Sequence, residues 1–323
     1  EKTFKETKVP VEVVDDDGPI IEPTFKAWWG VPDMPKINFK NDGARQWALD
    51  VTEHWIKNFD IDGWRMDVAK ELDFSFWKDF RDVAYSAKKD ILLISEIFGD
   101  TSQWLQGERF DGTMNYSFRE TMTDYFATKR IDNKEFANSL ANLYSMYSFE
   151  ALSSCQNLLS SHDVKRFLNR CGANTDGMFG AIFLQATFPG IAGIYYGDEI
   201  GLGGADDPFN REPFPWESED KWNKDLLKFT SELMNIKTSQ PILRYGNFEM
   251  VTYDDNYVIF RRVLNDESLL CIVNRDLNNK DIELNTNAHS VDIVYGDCTI
   301  QLDSGKLKIT DIADNFGLII KES

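Results

Sequence analysis

Three acidic positions stand out as able to do chemistry together. Asp67 closes the short run Ile61–Asp67, Glu96 follows the apolar run Ile91-Leu92-Leu93-Ile94, and His162-Asp163 follow the run Cys155–Ser160. A further pair, Asp198-Glu199, comes after Gly190–Tyr196. Paired carboxylates can divide a reaction between them: an ionised one attacks, and one with a raised pKa donates a proton. Arg65 lies two residues before Asp67, so on an extended strand the two side chains point the same way. The guanidinium would then hold Asp67 ionised, as a nucleophile requires. Glu96, at the end of a strongly apolar run, is the candidate for a raised pKa and so for the general acid. By itself the Arg65–Asp67 pair reads equally as a buried ion pair. Three carboxylates brought to one face from three strands are costly unless something uses them, which turns the reading toward catalysis.

The elements that must position these groups alternate in type. Ala44, Ala48, Val51 and Trp55 recur at helical spacing, with Asp42 as the expected N-cap. Strands are expected at Ile61–Asp67, from Ile91, near Phe110–Tyr116, at Cys155–Ser160 and at Gly190–Tyr196. Helices are expected around Phe76–Lys88, 117–128, 134–147, 178–187 and 223–237. This is the pattern of βα units on a parallel sheet, whose sites lie at the carboxyl ends of the strands. After about residue 242 the helices stop. Phe248–Tyr253, Tyr257–Val263, Leu269–Val273, Ser290–Tyr295, Thr299–Leu302, Lys306–Ile309 and Gly317–Ile320 read as short strands of an antiparallel sandwich. Residues 1–43 read as a loop with little periodicity. The expected division is therefore 1–43, 44–240 and 241–323.

Composition sets the outer limits. The 323 residues are 42% hydrophobic and 13% aromatic, with 9 Trp, 11 Tyr and 23 Phe, which excludes a disordered chain. With 20 Gly and 10 Pro the chain is not collagen-like. Thirty-five basic against 54 acidic residues leave −19, which repels a phosphate backbone and argues against nucleic acid as a partner. Cys155, Cys171, Cys271 and Cys298 form no C-x-x-C pair and read as buried free thiols. No apolar run reaches the ~18 residues of a membrane span. The polar start Glu1 to Lys8 is no signal peptide, so the cytoplasm is the expected compartment, with secretion the alternative if a signal preceded it. Asp15-Asp16-Asp17-Gly18 fails the calcium-loop pattern, because Val13 stands where the first aspartate belongs. No His/Cys/Asp cluster has metal-ligand spacing, so no metal is expected on this chain, and His54 and His289 are read as structural.

Taken together, Gly63-Trp64-Arg65-Met66-Asp67-Val68-Ala69, Ile94-Ser95-Glu96-Ile97 and Leu159-Ser160-Ser161-His162-Asp163 resemble three short regions of the α-amylase superfamily, glycoside hydrolase family 13. Met34-Pro35-Lys36-Ile37-Asn38 resembles the segment that marks its neopullulanase, cyclomaltodextrinase and maltogenic amylase branch. Asp111–Tyr116 and Ile194–Glu199 fit that branch as well, and Asp206–Trp216 is similar to its glucan-binding loop, which amylopullulanases share. The resemblance implies a (β/α)8 TIM barrel followed by the sandwich, and a retaining α-glucan hydrolase acting by double displacement. Asp67 is then implied as nucleophile, Glu96 as acid/base roughly 5–5.5 Å away, and Asp163 as the third carboxylate. Arg65 and His162 would orient the nucleophile and the sugar, and Asp207 and Arg211 would grip the next glucose, although Asp207-Pro208 is also an ordinary turn signal. Trp28, Trp29, Trp104 and Tyr116 fall on loops or strand ends, where each either stacks on a sugar face or closes the hydrophobic layer.

The chain also departs from the family pattern. The region in which an apolar strand ends in Asn-His is absent before Trp28, and the five strands match the fourth to eighth of a barrel. Five strands of eight cannot close. The expected partners are accordingly an α-glucan, with no nucleic acid and no membrane, and either the missing N-terminal half, as a second chain or fragment, or a further copy in a homo-oligomer. No cofactor is required of this chain, and calcium could come only from the missing part. Lys70 stands where the branch usually has Asn, beside Glu71 at the acceptor side, which bears on hydrolysis against transfer. A glucanotransferase using the same residues and a non-catalytic carbohydrate-binding chain are the alternatives.

Overall fold

Asn41, not Asp42, begins the regular part of the chain: its side chain accepts from the Ala44 backbone N–H at 3.0 Å. The cap falls one residue earlier than expected because Asn41 is the last residue in extended conformation. The computed structural model describes residues 12–15, 18–21, 25–31, 33–275, 280–313 and 316–323, with the backbone alone described for 12–15, 18–21 and Trp29. These residues fall into two units, 1–96 with 108–110 and 97–107 with 111–323.

In the first unit, β1 (Glu12–Asp15) pairs antiparallel with β2 (Gly18–Ile21). A short hairpin thus stands where a structureless loop was expected; Asp16 and Asp17 of the acidic turn lie outside the described residues. Helix α1 (Asp42–Phe59) buries Leu49, Thr52 and Ile56. The expected face through Ala44, Ala48, Val51 and Trp55 is therefore rotated, and Trp47, Trp55 and Phe59 stay between 43% and 59% exposed. Strand β3 (Gly63–Met66), helix α2 (Phe76–Ala87) and β4 (Leu92–Ser95) make a βαβ unit with parallel register from Gly63↔Leu92 to Met66↔Ser95. Only glycine fits at 63, since a Cβ there would lie 2.4 Å from the Leu92 carbonyl oxygen. Phe76, Trp77, Phe80 and Ala84 form the buried stripe of α2.

The second unit opens with β5 (Gly112–Thr113), α3 (Tyr116–Met122) and a π-helical turn, Thr123–Ala127. Next come α4 (Asn133–Ser145), started by an Asp132/Glu135 capping box, then α5 (Phe149–Ser154) and β6 (Gln156–Leu158). They are followed by α6 (Phe167–Arg170), α7 (Asp176–Thr187), β7 (Ile191–Gly193), α8 (Lys224–Ser239) and α9 (Pro241–Tyr245). Strands β6 and β7 are parallel, and a parallel bridge joins Met114 to Gln156. Every strand expected among these βα units is present; β4 is shifted by one residue and the others are shorter, because the residues past their ends turn into loops.

The rest is antiparallel: β8 (Asn247–Tyr253), β9 (Val258–Leu264), β10 (Glu267–Val273), β11 (Ile282–Asn285), β12 (Val291–Tyr295), β13 (Thr299–Asp303), β14 (Lys306–Thr310) and β15 (Gly317–Glu322). They form sheets of order β12-β15-β10-β9-β8 and β11-β14-β13, with β11 unforeseen. The larger sheet is apolar on both faces. Val258, Phe260, Leu269, Cys271 and Ile319 join the helical core around Phe118, Phe183 and Leu233, while Ile259, Leu270, Ile272, Leu318 and Ile320 meet Ile282, Leu307 and Ile309 of the smaller sheet. The change at residue 240 is thus one of secondary structure, with no break in packing. Cys155 and Cys271 are buried free thiols as expected, whereas Cys171 and Cys298 are only half-buried. Among the described residues no helix is long and apolar enough to cross a membrane.

Candidate active site

Parallel register sets the first group of functional side chains. Met66 and Ser95 are the last paired residues of β3 and β4, and the Glu96 N–H donates to the Met66 carbonyl at 2.9 Å. Asp67 and Glu96 therefore leave adjacent strands at the same level. Arg65 Nη1 donates to Asp67 Oδ1 at 2.6 Å, and Nη2 of the same guanidinium donates to Glu96 Oε1. Arg65 is beside Asp67 as its spacing suggests, and the same guanidinium also reaches Glu96, because the neighbouring strand brings Glu96 within its fork. The two acids differ in access. The Asp67 side chain is 63% exposed and that of Glu96 is 2% exposed.

The backbone after β3 completes the cradle around Glu96. Val68 adopts a left-handed conformation, φ 41° and ψ 48°, and its N–H donates to Glu96 Oε2 at 3.1 Å. Ala69 N–H then donates to the Glu96 carbonyl at 3.2 Å, and the buried Trp77 indole N–H fixes the Ala69 carbonyl at 2.9 Å. Lys70 is exposed on the following turn, and Glu71 is paired with Lys36 at 2.5 Å. Met34–Asn38, the stretch that carries Lys36, is thereby tied to the turn that holds Lys70 and Glu71. Trp28 lies half-buried in a short 3-10 turn, its N–H bonded to the Met34 carbonyl at 2.9 Å; Trp29 follows it in the same turn.

The second unit holds another group. His162 Nε2 and Asp163 Oδ2 are 3.2 Å apart. Arg211 reaches Asp163 Oδ1 at 3.5 Å and Asp207 Oδ1 at 3.0 Å, and its Nε donates to the His162 carbonyl at 2.9 Å. Asp207, Arg211, His162 and Asp163 thus form one cluster. Beneath it lies a layer to which sequence reasoning assigned no role. Ser160 Oγ donates to Asp198 Oδ1 at 2.9 Å and accepts from the Phe167 N–H at 2.9 Å. Arg166, fully buried, donates to the Tyr196 carbonyl at 2.7 Å and lies over the rings of Tyr195 and Tyr196. Burial pushes the Asp198 carboxyl up to about 7, against the bonds from Ser160 and Arg166, which lower it.

Two aromatic expectations are refined. Tyr116, expected at a strand end, is the first residue of α3; it is 3% exposed, stacked on Phe98 with centroids 3.8 Å apart, and its hydroxyl lies 3.2 Å from Ser161 Oγ. Trp104 is half-buried at the end of a 3-10 turn. His54 bonds Asn58 on exposed helix surface, and the His289 backbone N–H donates to the Ser323 carbonyl.

Comparison with known proteins decides the family. The model of the α-amylase catalytic domain matches residues 24–242. The chain belongs to the α-amylase family. It is 36% identical to a cyclomaltodextrinase of Geobacillus thermopakistaniensis (strain MAS1) over 78% of this chain and 43% of that protein. It is 39% identical to neopullulanase 2 of Thermoactinomyces vulgaris over 76% of this chain and 42% of the relative. Among solved structures, the debranching enzyme of Nostoc punctiforme superposes with a TM-score of 0.86 at 28% identity, covering 99% of this chain and 69% of the other. The chain thus spans less than half the length of these two curated relatives. Its α/β fold is that of the α-amylase family's TIM barrel, of which it spans a part, followed by antiparallel sheets. The strand ends carrying Asp67, Glu96 and Asp163 all fall within the α-amylase match.

Proposed function

We propose that this chain carries the reacting carboxylates of a retaining α-glucan hydrolase that cleaves α-glucosidic bonds in starch, pullulan, maltooligosaccharides or cyclodextrins. The observation that carries the reading is the single Arg65 guanidinium shared by an exposed Asp67 and a buried Glu96 at the ends of adjacent parallel strands. In the first step an Asp67 oxygen bonds to the anomeric carbon, the glycosidic C–O bond breaks, and Glu96 gives its proton to the leaving oxygen. In the second, water attacks the anomeric carbon, the bond to Asp67 breaks, and Glu96 takes the proton back. Arg65 keeps Asp67 oriented and matches its charge, and Asp163, held by His162 and Arg211, bonds sugar hydroxyls. Asp207 and Arg211 grip the next glucose. Trp28 and Trp104 offer flat apolar faces, and Tyr116 backs Phe98.

The proposal includes a partner and a place. The apolar stripe of Trp47, Trp55 and Phe59 on α1 is the surface we assign to the remainder of the barrel, whether continuous with this chain or a second polypeptide. A cytoplasmic location fits four free thiols, and one relative is named an intracellular maltogenic amylase. The deciding experiment is Asp67→Ala in the assembly that releases reducing sugar from a cyclodextrin. Turnover should vanish, with a melting temperature near that of the parent. Undiminished turnover would sink the assignment, and lengthened oligosaccharides at high acceptor concentration would assign a glucanotransferase instead.

A further inference from the structure

The turn that presents His162 and Asp163 is held from below by one side chain. Asn210 is fully buried, in the 3-10 turn Phe209–Arg211. Its Nδ2 faces three carbonyl oxygens of that turn: His162 at 2.9 Å, Val164 at 3.1 Å and Ser161 at 3.4 Å. An aspartate, leucine or serine there could not supply an N–H₂ group. Three converging carbonyls also settle which end of the amide points at them. The other end, Oδ1, is buried with no hydrogen-bond partner among the described residues. The donor end of the amide thus gathers three carbonyls of the 161–164 turn onto one nitrogen.

The surrounding contacts show what this geometry fixes. Arg166 N–H donates to the Gly204 carbonyl at 3.1 Å, and Gly204 N–H donates to Asn169 Oδ1 at 2.6 Å, so segments 160–169 and 204–211 are laced together. Gly204 has no room for a side chain: a Cβ would lie 2.5 Å from the Phe209 carbonyl oxygen and 2.8 Å from Asn210 Cα. The next residue, Arg211, donates to the same His162 carbonyl and reaches Asp163. Moving the Asn210 amide would thus move the peptide that carries His162 and Asp163.

We propose that Asn210 is a positioning residue for Asp163, setting the carboxylate through the backbone of residues 161–164 without itself touching substrate. This deepens the glucan-hydrolase reading and rests on it for the role of Asp163. A transition-state contact displaced by a fraction of an ångström to an ångström loses turnover more than it loses binding.

The test compares Asn210→Ala and Asn210→Asp with the parent, in the form of the protein that hydrolyses cyclodextrin. The first removes the amide, and the second keeps its shape while replacing the donor by an acceptor. The expected result in whichever variant folds is kcat lower by about 10–100-fold with KM within about threefold. The chain has 3 histidines, so the imidazole NMR signals of His162 are assignable against His54 and His289. The His162 signals should move and the other two stay. Unmoved His162 signals, or a kcat within about twofold of the parent in a folded variant, overturn the proposal. If the parent itself shows no turnover, the functional reading fails, and the His162 signals alone then decide whether Asn210 sets the turn.

Discussion

Val68 gives its backbone N–H to Glu96 Oε2 at 3.1 Å from a left-handed conformation that a β-branched residue rarely adopts. Strain of this kind, worth about 1–3 kcal/mol, persists where the surroundings over-determine it. Here the bonds from Ala69 to Glu96 and from Trp77 to Ala69 do so. Val68→Gly keeps the N–H and relieves the conformation, so turnover should stay within about threefold of the parent. Val68→Pro removes the donor and forbids the positive φ, and turnover should fall by at least about 100-fold. Initial rates on cyclodextrin, read beside thermal melting, decide. A fully active proline variant would show that Glu96 does not need this bond.

Arg65 contacts Asp67 with one terminal nitrogen and Glu96 with the other. A lysine has one point charge and cannot span both. Arg65→Lys should therefore lower kcat by at least about tenfold and destabilise the fold by about 2–3 kcal/mol, since one carboxylate, and Glu96 is the buried one, loses its cation. Urea unfolding and steady-state kinetics on one preparation test both statements. A lysine variant that unfolds at the parent's midpoint would mean that the other hydrogen bonds to Glu96, that from Val68 among them, hold it without the guanidinium.

The part of the site visible in the sequence is the part set by local spacing. Arg65 and Asp67 share a face because they are two apart on a strand, and apolar runs ending in an acid mark the strand ends that carry Asp67 and Glu96. The alternation of βα units is local as well. What was not legible acts through the backbone of a distant segment. Nothing around Asn210 or Arg166 announces that their partners are the carbonyls of His162 and Tyr196, because only the tertiary fold brings 204–211 against 160–169. The face of α1 was misassigned for a related reason. It carries two apolar stripes, and helical period alone does not say which one α2 covers. Strand β11 is four residues long and takes its register from β14, so little in its own sequence sets it apart.

Lys237 is a buried amine that donates to the carbonyls of Ala186 and Phe188 at the end of α7 and has no carboxylate partner among its hydrogen bonds. Burial, with the charge of nearby Arg262 adding to it, pushes its pKa down to about 7. Below pH 7 the folded and unfolded states both hold the proton, and the burial penalty is present in full. Between about 7 and 10.4 the unfolded lysine keeps a proton that the folded one has lost, so stability rises with pH, by at most about 1.4 kcal/mol per unit. Lys237→Met should remove that slope. Urea midpoints at pH 6, 8 and 9.5 should show the parent gaining on the variant at each step, and parallel curves would contradict the lowered pKa.

Asp198 gives the opposite slope. Its carboxyl is buried, bonded by Ser160 and Arg166, and raised to about 7 chiefly by desolvation. An unfolded aspartate titrates near 3.9, so between about 4 and 7 the folded state binds more protons and stability falls as pH rises. Asp198→Asn keeps an acceptor for Ser160 and Arg166 but cannot ionise. The parent should therefore lose ground to this variant from pH 4.5 to 6.5, by at most about 1.4 kcal/mol per unit, and hold a constant offset above 7.5. Because Ser160 lies two residues before His162, the same substitution also tests whether charge at Asp198 matters to the site. If only the neutral acceptor is needed, turnover at pH 7 survives while the stability slope disappears. Loss of both together would mean that an ionised Asp198 is needed to hold Ser160 and Arg166 under the turn that carries His162 and Asp163.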